Sequence, residues 1–202
     1  MKTRLLVLCF LTAFPLFGQG MNNNYPFDSL DVKNSFELLG IRSFKFPLKS
    51  NSDGVKLNYI VEQYENGKLK QEINLYKSVL EKFPANLPKS YAQNAFPALE
   101  QNENFVRVYI FDRAENEVLL QPKYDNISFT MNFDIDTTKF KNYQYRAMDC
   151  KTSELTGKTP LLVRYSNEKG KQLMSCPGDA KIEDIVKMYG SVIIFYADAI
   201  KD

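Results

Sequence analysis

Apolar and polar residues alternate with a period of two along much of this chain, the pattern of strands that bury one face and wet the other. Phe129, Met131, Phe133 and Ile135 fall on one side, and Ser128, Thr130, Asn132, Asp134 and Asp136 on the other. Two more alternating runs, Val55, Leu57, Tyr59, Val61 and then Leu69, Ile73, Leu75, flank Asn66-Gly67. That dipeptide suits a type I′ turn, whose two central residues both need positive φ, so a hairpin is predicted. Residues 35–48 read as one strand or two, with Gly40 at a bulge or turn. Further strands are predicted in "FVRVYIFD", "EVLLQP", "YQYRAM", "PLLVRYS" and "KQLMS". The final run, "SVIIFYADAI", is apolar on both sides and is expected to be central and covered on both faces.

A helical period appears near the C-terminus. Ile182, Ile185, Val186 and Tyr189 share a face over residues 180–189, with Asp179 as the expected cap and Gly190 as the stop. Residues 82–104 contain Pro84, Pro88 and Pro97 and little periodicity, so they are read as a long loop with one helical turn around 90–95. Together these elements predict a mainly β domain: an antiparallel two-sheet sandwich with one short helix near the C-terminus. An antiparallel α+β sheet covered by that helix is the second choice.

The start of the chain changes where this domain is expected to act. "MKTRLLVLCFLTAFPLFGQG" has a basic start at Lys2 and Arg4, an apolar run and a small-x-small end, the form of a secretory signal peptide. Residues 1–20 are therefore read as a signal and 21–202 as a single β-rich domain, exported to the periplasm or cell surface. Its composition resembles that of proteins exported by bacteria with an outer membrane. Cys9 follows too short an apolar run to serve as a lipid-attachment site. Removal of the signal takes two basic and no acidic residues from a chain of net charge +2, leaving it balanced. Such a chain has no electrostatic footprint for nucleic acid. After the signal no apolar run is long enough to span a bilayer.

Candidate chemistry is sparse. With Cys9 removed, Cys150 and Cys176 remain, and two cysteines in an exported chain predict one disulfide, contributing about 3–4 kcal/mol on the chain-entropy account. A reactive Cys176 thiol at a helix N-terminus is the rival reading, opposed by the neighbouring Asp179 and the absence of a C-x-x-C pair. The chain contains no histidine, which removes histidine-based triads and histidine metal sites. No glycine-rich phosphate loop or dinucleotide fingerprint occurs, so no cofactor is expected. Asn132, Asp134 and Asp136 are hard-cation oxygens, but along one strand they splay apart, so charges that solubilise a strand face are the plainer reading and no metal is expected. Tyr143 and Tyr145 share a strand face in "NYQYR" and are candidate contacts for a glycan or protein, against a cross-strand packing role. A non-catalytic binding module for a protein or glycan is the expected function. A hydrolase using a carboxylate pair, such as a glycosidase, is the alternative.

Overall fold

In a computed structural model of the chain, residues 29–49, 54–96, 98–99, 104–111, 117–121, 129–132, 135–136, 138–140, 142–148, 153–155 and 157–200 are described. The chain divides after Leu39. Before that point the described residues form helix α1 (Ser29–Leu38). Residues 35–38 are thus helical, not extended as their alternation suggested. Phe36 and Leu38 fit either period over so short a stretch, and the N–H of Leu39 donates to the carbonyl of Ser35 (3.1 Å) in a final helical turn. The predicted break at Gly40 is real: it adopts φ 72°, a left-handed conformation that glycine enters without steric cost.

From Gly40 onward the chain is a β-sandwich. The first sheet contains β1 (Ile41–Lys49), β4 (Asn104–Phe111), β5 (Glu117–Gln121), β6 (Phe129–Asn132) and the two-residue β8 (Ser153–Glu154), in the order β6-β5-β4-β1-β8. The second contains β2 (Leu57–Glu65), β3 (Lys68–Asn74), β7 (Tyr143–Ala147), β9 (Thr159–Ser166) and β10 (Ser191–Ala199), in the order β3-β2-β10-β9-β7. All pairings are antiparallel except the short one between β1 and β8.

The core lies between the sheets. Phe46, Leu48, Val106, Val108 and Ile110 from the first sheet meet Leu57, Tyr59, Val61, Leu162, Ile193, Phe195 and Ala197 from the second. β10 is central, between β2 and β9, and its other face is buried too. There Val192, Ile194 and Tyr196 join Ile60, Val163 and Tyr165 beneath Ile185, Val186 and Tyr189 of a helix and its exit. Sandwich and helix-covered sheet therefore coexist, one on each face of the same five strands.

Local chemistry explains the corners. Asn66 and Gly67 have φ 49° and 78°, both positive, so the β2–β3 hairpin closes as the dipeptide predicts. β3 ends earlier than its alternation implies, because Asn74 caps helix α2 (Leu75–Lys82). The Asn74 side chain accepts from the Lys77 N–H (3.1 Å) and from Asn58 Nδ2 (3.1 Å). Replacing Asn74 with alanine is expected to lower stability by about 1–2 kcal/mol, with Asn74→Asp retaining most of it; urea titration of the two variants checks this.

The proline-containing segment holds α3 (Lys89–Gln93), one short helix near the expected turn. It is not merely draped over the surface, since Ala92, Phe96 and Leu99 are buried. Lys56 Nζ ties it down through the Gln93 carbonyl (3.0 Å) and Asn94 Oδ1 (2.7 Å).

Near the C-terminus, α4 (Ile182–Met188) buries the predicted face but starts later than expected. Its N-cap position is Lys181, with no side-chain cap, so Asp179 does not serve as the cap. "KQLMS" forms no strand; residues 171–176 run irregularly over the outer face of the second sheet. Gly190 acts by close approach rather than by conformation: a Cβ there would lie 3.1 Å from Phe140 Cε1.

Candidate functional site

One edge of the sandwich carries the predicted tyrosines. β7 is the edge strand of the second sheet, and on its inward side stand Tyr143 and Tyr145, both half-buried, with ring centroids 5.6 Å apart and the rings edge to face. Across the gap, β1 presents Arg42 and Phe44, since β8 covers β1 only at Leu48 and Lys49. The Arg42 guanidinium lies 5.4 Å from the centre of the Tyr145 ring, and Phe44 lies 6.0 Å from it. Tyr145 also packs on the main core. It is thus a packing residue as well as a rim residue.

Behind them on β9 is Arg164, which sequence reading passed over. It is 5% exposed, and its guanidinium carbon lies 4.1 Å from the Tyr143 ring centre. No carboxylate pairs with it among the described residues. A cation over an aromatic face contributes about 0.5–2 kcal/mol. Burying an ion without a counter-ion costs several kcal/mol. The ring alone does not offset that cost, so Arg164 is a buried charge with no carboxylate partner among the described residues. The available signal was an arginine at an inward position of "PLLVRYS", between Leu162 and Ser166.

The other candidates fare differently. Asp136 lies beyond the end of β6, where its Oδ1 accepts from the Thr138 hydroxyl (2.6 Å), the Thr138 N–H (3.0 Å) and the Lys139 N–H (3.1 Å). Those hydrogen bonds, led by the Thr138 hydroxyl, hold its carboxyl below the usual carboxylate range. It caps a turn. Asp134 and the side chain of Asn132 lie outside the described residues, and no cluster of metal-binding side chains occurs among those described.

Cys176 carries a free thiol, so no disulfide is formed here; its expected partner, Cys150, lies outside the described residues. The thiol is not at a helix N-terminus, because α4 begins six residues later. Arg146 donates to Cys176 Sγ (2.9 Å) and to the carbonyls of Pro177 and Gly178. The Cys176 N–H donates to the Tyr165 hydroxyl (3.2 Å), which donates to Gln144 Oε1 (2.8 Å). Tyr189 donates to the carbonyl of Met174 (3.1 Å), and burial pushes its hydroxyl up to about 12. Residues 174–178 are therefore strapped to the sheet by side chains rather than by strand pairing.

A third cluster sits on the outer face of the second sheet. Glu62 and Glu72 are directly opposed in the β2–β3 register, and Lys158 Nζ bridges them, hydrogen-bonded to Glu62 and 3.4 Å from Glu72. Burial pushes Glu62 up, but hydrogen bonds from Lys158, Tyr196 and Tyr64 outweigh it and hold the carboxyl below its ordinary value. No family model, curated protein or solved structure matches this chain. Geometry carries the functional reading.

Proposed function

We propose that this chain is an exported, non-catalytic binding module that holds a protein or glycan partner at the sandwich edge between β1 and β7. The observation that carries this is the pair of half-buried tyrosines on an edge strand, flanked by the Arg42 and Arg164 guanidinium groups. Aromatic and arginine side chains are the usual anchors of recognition, because they offer large contact area with directional polar groups. Probing a glycan array and a peptide array with the native protein tests it. Tyr143→Ala is expected to weaken binding about tenfold or more while the protein stays folded. Equal binding by the variant would remove this edge from consideration.

The alternative is a carboxylate-based hydrolase, for which the opposed Glu62 and Glu72 are the best pair. General-acid catalysis needs a carboxyl held protonated near neutral pH. Each displaced carboxyl among the described residues is displaced downward: Glu62 as above, Glu65 chiefly by Lys139, Asp136 by Thr138 and Glu168 by Lys171. This supports binding over hydrolysis. Turnover of a glycan panel, abolished by Glu62→Gln, would reverse the preference.

Export belongs to the same proposal. Mass spectrometry of the native protein is expected to show a start near Met21. In an oxidising compartment the Cys176 thiol would pair with Cys150, as expected of two cysteines in an exported chain. Non-reducing peptide mapping of the exported protein is expected to recover the two as one linked peptide; full alkylation of both without reductant would refute the bridge.

A further inference from the structure

We infer that Arg164 and Ser166 form an anion site at the β1–β7 edge, shaped for the carboxylate of an acidic peptide laid along β7. The inference rests on the reading of that edge as the binding site and supplies its ligand class. Arg164 is almost wholly enclosed, and Ser166, fully buried, has a hydroxyl with no hydrogen-bond partner among the described residues. The two side chains sit two positions apart on the same face of β9, the inner one, as adjacent rungs of one strand face.

Their directions converge. Cross-strand register sets Tyr145 beside Arg164 and Tyr143 beside Ser166. Yet the Arg164 guanidinium lies over Tyr143, not over its own neighbour. The side chain therefore leans toward the row that pairs Tyr143 with Ser166, the row that also carries the unsatisfied hydroxyl. Tyr143, half-buried on the edge strand, forms the wall on the open side. A carboxylate fits this donor set. It is planar and offers two oxygens to the guanidinium fork, and one of those oxygens can also accept from the Ser166 hydroxyl.

Charge and topology favour a peptide as the source. Lys139, another cation of the second sheet's surroundings, is already engaged by Glu65 (2.7 Å) and Glu168 (3.5 Å). Arg42 on the facing sheet lies over the neighbouring Tyr145 ring. Among the described residues β7 pairs with β9 alone in its sheet, leaving one edge of its ladder for an added strand. An extended peptide there would direct alternate side chains inward, where a glutamate could reach past Tyr143 to Arg164.

The test uses the full native protein and begins with acetate, which needs no macromolecular partner. Acetate is expected to shift the Arg164 Nε–H resonance with a Kd on the order of 1 mM, and chloride at matched ionic strength is not. An extended peptide of alternating glutamate and threonine is expected to bind more tightly. Arg164→Lys, which keeps the charge and loses the fork, is expected to weaken both about tenfold, and Ser166→Ala to weaken both several-fold. An Arg164 resonance unmoved by acetate in the folded wild type overturns the anion site, even where the arrays show that the edge binds something else. Binding of an oligogalacturonate but not the peptide overturns the peptide source. Arrays in which Tyr143→Ala binds normally, with acetate still shifting Arg164, would instead refute the edge as the module's recognition surface.

Discussion

Phe195→Ala is expected to cost about 3–5 kcal/mol of folding stability, enough to leave a marginal domain largely unfolded near physiological temperature. Phe195 is 2% exposed on the inner face of β10, the central strand of the second sheet. Val61 and Leu162 flank it in the registers of the two neighbouring strands, and the core of the first sheet closes over it. Removing the ring leaves a cavity that these neighbours cannot fill without moving a sheet. Leu69→Ala on the exposed edge strand β3 is the matched control, expected to change stability by less than about 0.5 kcal/mol. Urea titration of both variants is decisive, since a Phe195 variant as stable as the Leu69 one would contradict a core shared by two sheets.

Lys158→Met is expected to cost about 1–2 kcal/mol at neutral pH, toward the low end for a buried pair because Lys158 is itself about a third exposed. Its loss leaves the Glu62 carboxylate in a nearly closed environment, with the hydroxyls of Tyr64 and Tyr196 as its remaining donors among the described residues. The pH dependence is the sharper readout. Glu62 titrates lower in the folded protein than in the unfolded chain, whose value is about 4.3. Its contribution is therefore complete above that value and is lost as pH falls through the folded one. The gap between wild type and Lys158→Met should accordingly narrow below about pH 4.3, where Glu62 becomes neutral and needs no cation. A gap that stays constant down to acid pH would mean that Lys158 acts through its ammonium over the Tyr196 ring, whose centre lies 4.6 Å from Nζ, and not through Glu62, since that cation keeps its charge in acid.

The tyrosine-bearing edge was partly legible in the sequence. Tyr143 and Tyr145 announced a shared strand face by spacing alone, and that face exists. Arg164 did not stand out, because an arginine in an apolar strand looks the same in sequence whether it snorkels to solvent or stays enclosed. Asp136 misled for the opposite reason: alternation placed it on a strand face, but it lies in irregular chain outside β6 and its carboxylate caps a turn.

Local rules settled what local energies control. Asn66-Gly67 dictated its own turn, because few other dipeptides tolerate two positive φ angles. The unbroken apolar run of β10 demanded cover on both faces, since either face exposed would leave large apolar area in water. Alternation marked most strands, and the 3.6-residue period marked the face of α4. What these rules could not supply was any property made by residues distant in the chain. Whether residues 35–38 coil or extend, and whether 171–176 pair in a sheet, depended on competing weak preferences that tertiary contacts outweigh. Strand order, the second core beneath α4 and the meeting of Arg42 with Tyr145 arise from pairings across scores of residues. Burial is a property of the packed sheets, so an enclosed guanidinium such as that of Arg164 becomes visible only once the two layers close around it.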